Sequence, residues 1–148
     1  MYQDVITIYN FFEDKKQDIA GWYPTTLSGV EVQISKGLNV SKTGNENANS
    51  LYVSIPLICS NNELFTDGIK YIKPKSFKAL SVKSDTFTLS ENDFIAVGNY
   101  KEIHKEFIND YDYEEGFLQY MKSTYDDVFE VKTVDTFKTI RHIEVGGN

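Results

Sequence analysis

The sequence predicts a mainly β protein: a small β-barrel of about six to seven strands, with a helical insertion at about 100–125 and a long polar loop at 35–50. Three observations predict it. Short runs of alternating apolar and polar residues recur through most of the chain, the period of strands with two distinct faces. Glycine, proline, asparagine and serine corners separate those runs, as in barrels and sandwiches. Only after Gly98 does the period change, with Ile103, Phe107, Tyr111, Leu118, Met121 and Tyr125 at helical spacings.

The first run, Asp4 to Phe12, places Val5, Thr7, Tyr9 and Phe11 on one side and Ile6, Ile8, Asn10 and Phe12 on the other. Both faces are partly apolar, which predicts a central strand. A charged turn, Glu13 to Asp18, leads to a long strand over Gly21 to Ile34. Gly29 is its expected bulge, after which Val30, Val32 and Ile34 share a face. Ser35 to Ser50 is dominated by Gly, Asn, Ser and Lys and reads as a loop, long enough to suggest function. Asn39-Val40-Ser41 matches a glycosylation sequon, to which no role is given.

Leu51 to Leu57 is a further strand, and Ser60 to Gly68 a turn. Lys70 to Lys75 alternates like a strand with one wet face, which Pro74 must end or confine to an edge. Thr86 to Leu89 and Phe94 to Gly98, joined by Ser90-Glu91-Asn92-Asp93, read as a hairpin or tight β-corner. The segment 99–127 is read as two short helices, about 100–109 and 113–125, with Asp112-x-x-Glu115 as a capping-box variant. Its apolar residues Ile103, Phe107, Leu118 and Met121 are expected to pack on the barrel or on a neighbouring subunit. Val128 to Phe137 and Thr139 to Val145 complete the strands.

At 148 residues the chain fits one domain, and 41% hydrophobic residues suffice for a core. The single Cys59 rules out an intrachain disulfide. No basic-then-apolar start resembles a signal peptide, and no run of about eighteen apolar residues spans a membrane. The net charge of −7 is localised: residues 106–130 hold eight acids and one lysine, so the remainder is neutral. Within that remainder Lys70, Lys73, Lys75, Lys78 and Lys83 follow one another with no acid between. A basic edge and an acidic appendage (Glu106, Asp110, Asp112, Glu114, Glu115) therefore stand as candidate subunit interfaces, against the plainer reading of solvated surface charge. An acidic chain is a poor sequence-independent DNA binder.

The chain contains no phosphate-binding glycine loop and no nucleophile elbow. Two scattered histidines, His104 and His142, with one cysteine make a zinc site a poor fit, and Cys59 reads better as a small strand-end hydrophobe than as a nucleophile. Asp110, Asp112, Glu114 and Glu115 lack the glycine and ligand spacing of a known calcium loop. The aromatic residues raise base or sugar stacking, but most occupy strand-core positions. No catalytic, cofactor or metal residues are assigned, and a non-enzymatic protein is expected.

Lys70-Tyr71-Ile72-Lys73-Pro74-Lys75-Ser76-Phe77 followed by Leu89-Ser90-Glu91-Asn92-Asp93-Phe94-Ile95-Ala96-Val97-Gly98 resembles a pattern in small neck proteins of tailed bacteriophages and prophages. Gly29 to Gln33 and Val131 to Asp135 resemble two further positions of that family; the departures are Asn92 for the usual glycine and the long acidic segment 99–127. The resemblance implies a head-closure, or stopper, protein assembled into virions in the host cytoplasm. It would form a homo-oligomeric ring, six-fold, between the portal or adaptor ring and the tail terminator or tail tube. It further implies a channel loop at Ser35 to Ser50, with Lys36, Leu38, Val40, Lys42 and Glu46 as its candidates, in transient contact with packaged DNA. A tail-terminator or other tail-side ring protein, and a monomeric ligand-binding barrel, are the competing readings; a hydrolase with an unusual site is disfavoured by the residue inventory.

Overall fold

The computed structural model describes residues 3–36, 38–41, 44–47 and 49–148, with the stretches 38–41 and 44–47 described by their backbone alone. The strands in chain order are β1 (Asp4–Asp14), β2 (Ile19–Ser35), β3 (Leu38–Ser41), β4 (Gly44–Asn47), β5 (Ser50–Pro56), β6 (Ile58–Ser60) and β7 (Glu63–Thr66). They continue with β8 (Ile69–Tyr71), β9 (Thr86–Phe87), β10 (Phe94–Val97), β11 (Ile108–Asn109), β12 (Val128–Phe137) and β13 (His142–Gly147). Two helices, α1 (Pro74–Ala79) and α2 (Phe117–Thr124), and a 3-10 turn at Asp110–Asp112 complete the chain.

Six strands close an antiparallel barrel in the order β1-β10-β12-β13-β5-β2, with β2 returning to β1, and β11 adds to the outside of β2. Closure requires long strands to serve two neighbours. β2 pairs with β1 up to Val30 and with β5 from Glu31. The switch falls at Gly29, the extra residue between Asp4↔Val30 and Val5↔Ser28, whose φ of 74° a β-branched residue would resist. This is the expected bulge. β12 changes partner similarly, from β10 to β13, with an irregularity between Val131 and Thr133.

The alternation of β1 is borne out on both faces. Ile6 and Ile8 point into the barrel with Leu27, Val53, Ile55, Ile95, Ile143 and Val145, all fully buried. Tyr9 lies on the outer face in a second cluster with Trp22, Phe94, Ala96, Phe117 and Met121. The segment 99–127 is thus a lid over one barrel wall. Phe117 and Met121 of α2 are fully buried beneath it, and the β11 pairing Ile108↔Trp22 fastens its middle.

Several expectations are corrected. Residues 100–109 form turns ending in β11 rather than a helix, and Ile103 is exposed. Phe107 instead meets the Tyr23 ring and lies close over Gly21, where a Cβ would overlap both the Phe107 ring and the Ile108 carbonyl. The second helix spans 117–124 rather than 113–125, and its N-cap is Gly116 without a side-chain bond. Asp110 does the capping: its Oδ1 accepts from Phe117 N at 2.8 Å and from Trp22 Nε1 at 3.1 Å. The strand at 70–75 stops at Tyr71, and Pro74 opens α1 from the first helical position, where its missing N–H costs nothing. Residues 60–68 contain strand β7, in a small four-stranded sheet ordered β6-β7-β8-β9. β9 and β10 do not pair with each other: β9 joins that sheet parallel to β8, and β10 enters the barrel, so 90–93 is a corner. The polar loop is a paired extension of the barrel, with β3 antiparallel to β4 in the register Leu38↔Asn47 to Ser41↔Gly44.

At that corner the barrel is closed by polar groups. Asn10, on the inward face of β1, donates from Nδ2 to the Thr88 carbonyl (2.7 Å) and to Asp93 Oδ2 (2.9 Å), and accepts from Thr88 N. Asp93 also accepts from the backbone N–H groups of Phe11 and Ser90, both at 2.8 Å, and from Ser90 Oγ. Thr88 Oγ1 is buried without a hydrogen-bond partner. A buried hydroxyl left unpaired costs about 1 kcal/mol or more, which an isosteric methyl avoids. Thr88→Val should therefore raise the thermal midpoint by a few degrees; a lower midpoint would show that the hydroxyl is satisfied in solution.

Candidate functional site

The basic stretch separates into two roles. Lys70 forms an ion pair with Glu63 on β7. Lys83 donates to the Leu80 carbonyl at 2.6 Å and lies over the Phe12 ring, 4.7 Å from its centroid, with Tyr23 and Phe77 also facing it. Partial burial lowers its pKa. These two lysines hold β8 and α1 in place. Lys73, Lys75 and Lys78 remain exposed along α1 and are the free part of the basic edge.

The acidic candidates also divide. Asp110 is a structural residue, tied to Trp22 and Phe117. Glu106, Asp112, Glu114 and Glu115 are exposed, and Glu114 and Glu115 rim a shallow concavity of roughly 230 Å³ with Tyr113 and Tyr120. Lys122 pairs with Glu130 at the far end of α2, which holds the Glu130 carboxyl below its usual range.

Of the loop candidates, Lys36 lies at the foot of the β3–β4 hairpin, 3.7 Å from Asp127. That pair stands in the wall of an open cleft of roughly 710 Å³, which Asn49, Lys122, Tyr125 and Asn148 also line. Lys42 and the side chains of Leu38, Val40 and Glu46 lie outside the described residues.

The chemistry-bearing residues are dispersed. Tyr9 Oη is 2.7 Å from His104 Nδ1 beneath the lid. Burial raises the tyrosine pKa and lowers that of the histidine, so the bond joins two neutral groups. His142, on β13, is held by the Ile140 carbonyl (2.6 Å) and by Glu144 (2.8 Å), which together raise its pKa. Cys59 is exposed on β6. The hydroxyl that His104 meets belongs to the fully buried Tyr9. Among the described residues no three His, Cys, Asp or Glu side chains converge on a possible ion position, and no helix is long and apolar enough to cross a membrane.

The Asn10–Thr88–Asp93 cluster was missed by sequence reasoning. Its only signal was an asparagine on the apolar face of β1, beside Ile6 and Ile8. Burial pushes the Asp93 carboxyl up from 3.8 to about 6, against the four hydrogen bonds that hold it down. Its contacts are all within the fold, so its role is to tie the barrel corner.

The model of one protein family, described as a family of unknown function (DUF6751), matches residues 1–148. No curated protein and no solved structure matches the chain.

Proposed function

The chain belongs to DUF6751, a family of unknown function, and from that premise we propose that it is a structural neck protein of a tailed bacteriophage or prophage. In this reading it forms a ring between the portal or adaptor and the tail, and closes the DNA channel after packaging. The observation that carries the reading is the β3–β4 hairpin, which extends the β2–β5 pair beyond the barrel at Ser35↔Ser50. A paired hairpin is stiffer than the irregular loop its composition suggested, and so can reach across a channel while its base stays fixed by the barrel. Its charged residues, Lys36, Lys42 and Glu46, give about one net positive charge per copy, which suits passing contact with phosphate rather than tight holding.

The filled barrel supports a scaffold over a ligand carrier. Fully buried aliphatic side chains occupy its interior, where a ligand-binding barrel would enclose a cavity. Replacing residues 36–48 by a short Gly-Ser linker should give particles that assemble and package DNA but lose it, read as nuclease-sensitive DNA and a drop in infectious titre. Particles that keep their DNA and carry tails as the parent does would refute the gating role.

A further inference from the structure

Two surfaces stand out that the fold itself does not use. The first is the tip of the β12–β13 hairpin. Ile140 is 80% exposed and Phe137 43%, and Ile58, 70% exposed, lies alongside because Leu57 N donates to the Arg141 carbonyl. Lys138 and Arg141 flank Ile140, and neither joins an ion pair among the described residues. The tip is also stiff. Phe137 stacks on His142 with ring centroids 4.6 Å apart, and His142 bonds back to the Ile140 carbonyl.

The second is the concavity before and along α2, with tyrosine walls (Tyr113, Tyr120) and acids at its rim (Glu114, Glu115). Its volume of roughly 230 Å³ is enough for one aliphatic side chain and the stems of its neighbours. The two surfaces therefore agree in opposite charge, and the touching rings of Tyr113 and Tyr120 offer the apolar floor for Ile140, between the polar side chains of Gln119 and Ser123.

They cannot meet within one chain. Phe117 packs on Phe94, which is paired with Glu130, and Phe137 lies seven residues further along β12. That stretch of strand is roughly 20 Å long.

We propose that the Ile140 hairpin tip of one copy packs across the paired rings of Tyr113 and Tyr120 of another, which touch at 4.8 Å between centroids, with Lys138 and Arg141 facing Glu114 and Glu115. The contact is heterologous, because the two patches differ, and so it propagates into a ring or an open chain. It deepens the ring-forming reading given above by naming a different basic partner for the acidic segment from the lysines of α1. Barrel closure leaves tips and lids, rather than barrel strand edges, for such contacts.

Two variants test it. Ile140→Asp disables the tip and leaves the concavity; Glu114→Lys with Glu115→Lys does the reverse. All three positions are exposed, so thermal midpoints should stay near the parent's, and Glu114→Gln with Glu115→Gln serves if the charge reversal misfolds. By sedimentation velocity at high micromolar concentration, the parent should form species larger than a dimer. Each variant alone should associate at least tenfold more weakly, and a one-to-one mixture should stop at a dimer, since one live tip meets one live concavity. A monomeric parent, a mixture that stays monomeric, or variants that associate as the parent does would overturn the contact. Because this is read in solution, it is separable from the neck assignment: association with normal DNA retention in the hairpin-replaced particles would sustain the contact and defeat the gating function.

Discussion

Phe117→Ala should destabilise the protein by about 4 kcal/mol, the upper part of the range for removing a buried aromatic ring. Phe117 is fully buried and touches the rings of Tyr9, Phe94, His104 and Tyr113. Its backbone N–H is also the one that Asp110 caps. The cavity left would be bounded on one side by the barrel wall, which cannot collapse to fill it. An equilibrium urea titration should show the midpoint falling with little change of slope. A cost under 1 kcal/mol would return segment 99–127 to the status of a detachable appendage. By the same packing, deleting residues 101–126 would expose Tyr9, Trp22 and Phe94 together and should cost the β-domain its stability.

Asp93→Ala should cost about 3 kcal/mol at pH 7.5. Three donors, Phe11 N, Ser90 N and Asn10 Nδ2, lose an acceptor in a buried place, at about 2 kcal/mol each. Against this stands the relief of no longer burying a carboxylate, which offsets about half of that loss. The raised value also fixes a pH dependence. Since the folded-state pKa lies above the unfolded one, the carboxyl's contribution is fully present below pH 3.8 and lost as the pH rises through 6. Asp93→Asn removes that titration while keeping the side chain's shape. The stability advantage of the parent over Asp93→Asn should thus shrink by up to about 3 kcal/mol between pH 4 and pH 7.5. Parallel profiles across that window would mean that the carboxyl titrates alike in both states.

The strands were legible where the chain alternates and both neighbours are strands: β1, β2, β5 and β12 were placed within a few residues, and Gly29 was read as the bulge it is. The errors have physical causes. α1 is six residues long, too short to show a period, and Pro74 signals a strand end as well as a helix start. Ile103 and Phe107 have helical spacing, but pairing of Ile108 and Asn109 with β2 wins over that local preference. The β3–β4 pairing was hidden by polar composition, because a hairpin outside the core needs no apolar face. Asp110 reads as one acid among many until Trp22, 88 positions earlier, is seen to donate to it. The Asn10–Asp93 bond joins positions 83 apart and leaves no local pattern.

The same long separations govern how the chain reaches this state. β1 meets β10 with Ile6 opposite Val97, and β13 meets β5 with Ile143 opposite Ile55, so two of the barrel's seams join segments about ninety positions apart. Among the barrel seams β1–β2, β12–β13 and β2–β5, the last continued by β3 and β4, join neighbouring segments, and an isolated hairpin is marginal in water. The β1–β10 and β13–β5 seams each require a large loop to close before any burial rewards them, which places this barrel among the slow folders for its size. Until residues 142–147 arrive between β12 and β5, the apolar faces of β5 and β12 have open edges, and the unfinished barrel is the species most exposed to misassociation.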